Sequence, residues 1–237
     1  MNYESVLGNI EKQLRQYVGN RKAIIGISGG IDSALVAALC SRVFGKQQVL
    51  GVLMPYYEEH LEDSRLVVDF LEIESKHVNI KNIVDGFDFL KPSKSTKGNI
   101  MARIRMTILY AFANQLNGFV IGTGNKTEIE TGYFTKYGDG GVDIEPIGDL
   151  YKTEVYELAR FLELPEQIIN KKPSAGLYKG QTDECELGLS YEKLDSVLKG
   201  SYAEPGSVEI VRRLRADSEH KRQMPYVIKL RGENGKL

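Results

Sequence analysis

Ala23 to Ala34 reads AIIGISGGIDSA. A β-rich apolar run breaks at Ser28, Gly29 and Gly30, and an acid, Asp32, stands at the start of a helix-like segment, ALVAALCSRVF. The stretch satisfies the G-x-S-x-G pattern of a serine hydrolase, with Ser28 as nucleophile on a strained strand-to-helix turn. In that fold several strands precede the nucleophile. Here only a helical spacing does, formed by Tyr3, Val6, Leu7, Ile10, Leu14, Tyr17 and Val18, and no HGGG-type oxyanion segment is visible. A Walker A loop needs G-x-x-x-x-G-K-[ST], a string absent from the chain. Nor is GTGNKT (122–127) a dinucleotide fingerprint, because Thr127 stands at the last glycine position. A glycine turn without a ligand accounts for the glycines but leaves the flanking hydroxyls and the acid unexplained. The stretch reads best as a pyrophosphate cradle. Glycines let the backbone approach phosphate oxygens, open N–H groups at a helix start point toward them, and Ser28 and Ser33 add hydroxyl donors. Asp32 would repel a triphosphate there unless a divalent cation lay between them, and Mg2+ binds through one or two carboxylates together with phosphates. Without a P-loop lysine, the β- and γ-phosphates read as a leaving group.

Outward from the cradle, strand and helix patterns alternate. QVLGVLM (48–54) is a buried-type strand, SRLVVDFLEI a helix, SKHVNI a third strand and FVIGTG (119–124) a fourth, with a further strand expected to include IEPI (144–147). KTEVYELARFLEL (152–164) is a helix stopped by Pro165, and two more helical stretches fall near 190–199 and 206–220. This alternation predicts an α/β fold, an open parallel sheet with helices on both faces and ligands at the carboxyl ends of the strands. The glycine-rich stretches 26–33 and 122–127 both follow strands and therefore share one rim. The helix over 98–117 is apolar nearly all round, with Ile100, Ile104, Ile108 and Phe112 on one face and Met101, Met106, Leu109 and Ala113 on others. Such a helix is buried in a core or packed against a second copy of the chain.

Composition narrows the function classes. The 237 residues carry 31 basic and 32 acidic side chains and a net charge of −1, so no global field favours nucleic acid or a membrane surface. No apolar run spans a bilayer, and MNYESVLGNIEKQL is not a signal sequence, which points to the cytoplasm. Cys40 and Cys185 are isolated and fit reduced thiols rather than a zinc site or a disulfide framework. Any catalytic histidine comes from His60, His77 or His220.

The motif Ser28-Gly29-Gly30-Ile31-Asp32-Ser33 resembles the SGGxDS signature of the PP-loop ATP pyrophosphatase superfamily, which cleaves ATP between the α- and β-phosphates to adenylate an acceptor. Five further blocks follow in order: KGNIMARIRM (97–106), GTGNKTE (122–128), YFTKYGDGGVDIEPIGDLYKTEVYELAR (133–160), KPSAGLYKGQTDE (172–184) and EHKRQMP (219–225). Together they resemble the NAD synthetase family over residues 1 to about 226. The resemblance implies one NAD synthetase domain over 1–237, an adenine-nucleotide α-hydrolase-like, Rossmann-like fold, and ATP-dependent amidation of deamido-NAD, the final step of NAD biosynthesis. It implies an ATP site of Gly26, Ile27, Ser28, Gly29, Gly30, Ile31, Asp32, Ser33, Thr123, Lys152 and Ser174. Asp32 and Glu128 would ligate Mg2+ and, with Lys152, carry the catalysis. Glu128 could otherwise be an exposed acid at a helix start, and Lys152 a solvated helix residue. Deamido-NAD would be gripped by Arg103, Lys136, Asp143, His220 and Lys221, although His220-Lys221 lies in a charged run that could be a solvated face. A homodimer through helix 98–117 is implied as well. Only about 27 residues precede Ser28, with no room for a glutaminase, so free ammonia is the expected nitrogen donor. Where relatives often carry a serine-rich stretch, this chain has MPYYEEHLEDS, and adenine is expected to contact backbone near Val52–Pro55. A GMP synthetase core shares the EPI…L-K-x-E-V segment, but GTGNKTE and KPSAGLYKGQTDE argue against it. A non-catalytic relative would be expected to have lost Asp32, Glu128 or Lys152, and all three are present.

Overall fold

Ala23, Ile24 and Ile25 are wholly buried, so the first strand has neighbours on both edges and layers on both faces. The computed structural model describes residues 2–58, 61–173, 183–201 and 204–230. In chain order the elements are α1 (Tyr3–Val18), β1 (Lys22–Gly26), α2 (Ile31–Phe44), β2 (Val49–Leu53), α3 (Leu61–Leu71), β3 (Glu74–His77), α4 (Lys81–Asp85) and α5 (Lys94–Leu116). They continue with β4 (Gly118–Ile121), α6 (Lys126–Thr131), α7 (Lys152–Phe161), α8 (Glu166–Ile169), α9 (Asp183–Leu187), α10 (Tyr191–Leu198) and α11 (Pro205–Ser218).

The sheet runs β3-β2-β1-β4, and every pairing is parallel. From β1 the chain steps outward through β2 to β3, then returns to the other side of β1 with β4. The order therefore reverses between β1 and β4, which opens a crevice at their carboxyl ends. Side chains alternate across the sheet. Ala23, Ile25, Val49, Leu53 and Ile121 enter a core with α1, α2, α3, α7 and α8, while Ile24, Leu50, Val52 and Val120 enter a second core with α4 and α5. Every residue of β2 is buried, whereas β3 is exposed along its length and carries Glu74, Lys76 and His77. Charge on that edge discourages further strand pairing. A third, smaller core of Leu187, Tyr191, Leu194 and Val211 joins α9, α10 and α11.

Two expectations need correction. IEPI does not form a strand: only Ile144 makes an isolated parallel bridge, to Ile121. Pro146 has no N–H to extend a ladder, and the Glu145 side chain turns instead onto the backbone N–H of Gly124. The seventh helix ends at Phe161 rather than 164, because Glu163 adopts φ +54° and turns Leu164 into the core. The long helix α5 is present, beginning at Lys94, but only Gly98, Met101 and Ala113 in it are fully buried. Ile100, Ile104, Ile108 and Phe112 pack against the second core while staying partly open.

Candidate active site

β1 ends at Gly26, and the chain turns through Ser28–Gly30 into α2, whose N-cap is Gly30 with no side-chain cap. The first backbone N–H groups of α2 are therefore open toward the rim, as at any helix N-terminus without a capping side chain. Gly29 has φ +74°, and a Cβ placed on it would lie 2.7 Å from the Cβ of Asp63, so glycine is required twice over. Ser28 and Ser33 brace the turn. Their hydroxyls are 3.0 Å apart, Ser33 donates to the Gly30 carbonyl at 3.0 Å, and the Gly30 N–H donates to Ser28 Oγ at 3.2 Å. Among the described residues no histidine bonds to Ser28, and His60 lies outside them. Lys171 reaches the cradle from outside, donating to the Gly29 carbonyl at 3.3 Å and pairing with Asp63 at 2.7 Å.

Across the crevice, β4 leads through Gly122–Asn125 into α6. Asn125 is wholly buried and caps that helix: its Oδ1 accepts from the Glu128 N–H, and Glu128 Oε2 accepts from the Asn125 N–H. The Asn125 amide then donates to Asp32 Oδ1 at 2.9 Å, linking the two sides of the crevice. Lys152, the first residue of α7, completes the group. Its Nζ lies 2.5 Å from Asp32 Oδ2 and 3.4 Å from Glu128 Oε1. With its side chain 3% exposed, it is not a solvated helix residue. Burial pulls the Lys152 pKa down, but Asp32 and Glu128 outweigh it and hold the ammonium above the ordinary lysine value. Glu128 is pushed the other way: desolvation raises its pKa, Lys152 opposes the rise, and the charge of Asp32 adds to it.

Buried support fixes this group. Thr127 Oγ1 accepts from the Lys152 N–H at 2.9 Å and donates to Asp195 on α10, whose other carboxylate oxygen accepts from the Thr153 N–H. Asp195 thus caps α7 from a helix far along the chain. The Tyr191 ring lies 5.0 Å from Lys152 Nζ, and its hydroxyl donates to Asp183. Desolvation raises the Tyr191 pKa, keeping it a neutral donor.

Four of the five residues expected at the acceptor converge elsewhere on the rim. Arg103 donates to the Lys136 carbonyl at 3.3 Å, and Lys136 Nζ donates to the His220 carbonyl. Lys221 Nζ donates to the carbonyls of Gly132 and Phe134, each at 2.7 Å, so this lysine is not on a freely solvated face. His220 itself is exposed. Asp143 lies apart from these four, accepting from the Val120 N–H at 2.8 Å and from the Tyr110 hydroxyl at 3.1 Å. Thr123 sits on the turn after β4, and Ser174 lies outside the described residues.

Three supports escaped the reading of the sequence. Asn125 was visible as the N-x-x-E of a capping box in GNKTE. Glu145, which accepts from the Gly124 N–H at 2.8 Å, and Asp195 carried no local signal, since their partners are 21 residues distant or more. A Cβ on Gly122 would lie 2.3 Å from the Glu145 carboxylate, so the turn is glycine where that acid folds over it.

Among the described residues no group of three or more His, Cys, Asp or Glu side chains converges as a metal cage. Asp32 and Glu128 do meet at one point, on the Lys152 ammonium. Two carboxylates facing one cation fit a hard divalent ion that keeps waters and takes its remaining ligands from phosphate.

The parallel sheet, the glycine turn at its switch point and the paired carboxylates with lysine define an α/β nucleotide-binding protein with a phosphate cradle. The family model for NAD synthase matches residues 4–228, and the chain belongs to that family. It is similar to the NH(3)-dependent NAD(+) synthetase of Pyrococcus horikoshii, 48% identical in an alignment of 243 positions, gaps included, that covers 95% of this chain and 94% of the relative. Its fold is similar to the NMN synthetase from Francisella tularensis, with TM-score 0.88 and 34% identity over 96% of this chain and 97% of that one. It is also similar to the NH3-dependent NAD synthetase from Campylobacter jejuni, with TM-score 0.81 and 32% identity over 97% of this chain and 100% of that one.

Proposed function

We propose that the chain catalyses ATP-dependent amidation of deamido-NAD by ammonia, giving NAD+, AMP and pyrophosphate. The observation that carries this reading is the convergence of Asp32, Glu128 and Lys152 beside the glycine cradle. Membership of the NAD synthase family supports the choice of acceptor, and the name of the Pyrococcus relative supports the nitrogen donor.

In the first step a nicotinate carboxylate oxygen attacks the α-phosphorus of ATP. The bond to the β-phosphate oxygen breaks, and pyrophosphate leaves with the electron pair. In the second step ammonia attacks the carbonyl carbon of the resulting acyl adenylate. The carbon–oxygen bond to AMP breaks, AMP leaves, and the nitrogen releases a proton to solvent. The chain contributes position and charge. The α2 N-terminus, Ser28 and Ser33 hold phosphate oxygens, and Lys152 turns from the carboxylates toward the leaving phosphates. Asp32 and Glu128 would hold Mg2+, which supplies neutralisation of the departing pyrophosphate. Arg103, Lys136, His220 and Lys221 grip the anionic groups of the acceptor, and Asp143, held beside Tyr110 of α5, takes ribose hydroxyls.

The partly open apolar side of α5, continued by the exposed Phe89 (77%) and Leu90 (56%) before it, supports a homodimer packed through this helix. Arg103 would then lie close to the partner. A cytoplasmic setting accords with the free thiols of Cys40 and Cys185. Among the described residues no helix is long and apolar enough to cross a membrane.

Incubation with ATP, Mg2+, ammonium and deamido-NAD tests the reading. NAD+ and AMP are expected in equal amounts, and ADP in place of AMP would overturn the adenylation step. The likeness to an NMN synthetase carries a second reading, a mononucleotide acid as acceptor. Comparing kcat/KM for nicotinate mononucleotide and deamido-NAD in the same assay decides between them.

A further inference from the structure

Arg105 is a cation of the crevice that the functional reading leaves without a task. Helix α5 ends at Leu116 and β4 begins at Gly118, so the carboxyl end of the helix lies at the amino end of the sheet and its first half reaches the ligand rim. Leu109 marks the level of the strand ends, since its methyl group would lie 3.5 Å from a Cβ on Gly26, the last residue of β1. Arg105 stands one helical turn, about 5 Å, beyond that level. Its Nε–H donates to the carbonyl of Met54, just past β2, at 3.1 Å. On the other side, the loop carrying Asp139 packs on α5, where Cβ atoms on Gly138 and Gly141 would come within 2.9 Å of Ala102 and 3.2 Å of Met106. Arg105 therefore reaches from α5 to the exit of β2, one turn beyond the strand ends, on the helix against which that loop packs.

A guanidinium carries five N–H donors in a planar fork. Among the described residues Arg105 makes one hydrogen bond, through Nε, and no ion pair. Neither Nη is sealed in the interior, since no buried side-chain nitrogen there lacks a partner. The fork is therefore not wholly enclosed. The side chain is half-buried, and desolvation draws its pKa below the usual guanidinium value, with Asp139 opposing the shift. A strut between α5 and Met54 would need a single donor. A half-withdrawn fork with its Nη edge unused is the form that receives a phosphate or a carboxylate in two parallel bonds.

We infer that Arg105 binds an oxyanion of a bound substrate at the crevice mouth, two of its oxygens meeting the Nη edge while Nε stays on the Met54 carbonyl. The inference rests on reading the crevice as the site for ATP and the acceptor. That oxyanion is either a phosphate of ATP or the carboxylate or pyrophosphate of the acceptor, and the arms of the test separate the two.

Wild type, Arg105→Met and Arg105→Lys are titrated calorimetrically with ATP and, separately, with deamido-NAD, and their thermal midpoints are measured without ligand. Arg105→Met should weaken one of the two ligands at least about tenfold. Its midpoint reports folding separately from binding, since the Met54 carbonyl loses its donor in this variant. Arg105→Lys should bind that ligand more weakly than wild type, since the charge stays and the fork is lost. Loss in the ATP arm assigns the triphosphate, and loss in the other arm assigns the acceptor. Both affinities within twofold of wild type would overturn the inference and leave Arg105 a strut. Should Arg105→Met fail to fold, the arginine Nε resonance of wild type, assigned by its absence in Arg105→Lys, must shift on saturation with one ligand; no shift with either overturns the inference. Wild type that bound neither ligand would instead refute the functional reading.

Discussion

Asp32 accepts from the Lys152 ammonium and from the Asn125 amide, so an asparagine in its place would keep the shape of the turn and lose the charge. Asp32→Asn should lower turnover by roughly a thousandfold or more, on the scale of removing a residue that acts as one unit with its neighbours, while leaving the circular dichroism unchanged. Turnover near wild type at ordinary Mg2+ would remove Asp32 from the metal. Glu145 gives a prediction of another kind. Burial pushes its pKa up to about 8, with the Gly124 N–H opposing the rise and neighbouring carboxylates adding to it. Below the unfolded value, near 4.5, the acid is neutral in both states and costs nothing. As pH rises, the unfolded chain ionises first, so this residue removes stability progressively up to about pH 8. Glu145→Gln keeps an acceptor for Gly124 and cannot ionise. Its thermal midpoint should match wild type at pH 4 and exceed it by a few degrees at pH 8; equal midpoints at both would show that the acid is not held neutral.

At the level of elements, the Lys152 end of α7 is held by a helix that follows it by some forty residues. Asp195 accepts from both Thr127 and the Thr153 N–H. Asp195→Ala leaves a buried hydroxyl and a backbone N–H without their partner, a cost of roughly 1–3 kcal/mol for each unsatisfied group. Chemical denaturation should show that loss, with kcat falling as well because Lys152 shifts, and Asp195→Asn should recover part of both. An unchanged midpoint for Asp195→Ala would mean that water replaces the carboxylate. The elements themselves were legible to unequal degrees. β1 and β2 announce themselves because strands buried on both faces are continuous apolar runs. Residues 144–147 read as a strand too, yet Pro146 and the inward turn of Glu145 stop the ladder at one bridge. The short helices α4, α8 and α9 have too few turns to impose a periodicity, so only their packing defines them.

For the whole molecule, α5 carries the prediction about assembly. Its apolar pattern reads as burial, but a single copy of the chain covers it only in part. Ala111 is exposed and small, which suits close approach of a second helix. Ala111→Glu should place like charges across a two-fold contact and give a monomer by sedimentation, with the fold retained; a dimer of unchanged dissociation constant would place the interface elsewhere. The nitrogen donor is tested at the same scale. Glutamine supplied without ammonium should give no NAD+, and efficient use of it would contradict an ammonia-dependent enzyme.

The cradle and Asp32 were written in AIIGISGGIDSA, because phosphate binding by backbone needs glycine, hydroxyl and helix start in immediate succession, whereas Glu128 in GTGNKTE and Lys152 in DLYKTE stood out only through the family resemblance. Contiguous chemistry leaves a contiguous trace. The sequence by itself did not place Asn125 on Asp32, cap α7 with Asp195, fold Glu145 over Gly122 and Gly124, or bond Arg105 to the Met54 carbonyl. In the Asn125, Asp195 and Arg105 contacts the partners are 42 to 93 residues apart, and those of Glu145 about twenty. They meet only after the strand order reverses between β1 and β4 and the helices close on both faces. Which buried polar group finds which partner is a property of that packing, and no local pattern in the chain encodes it.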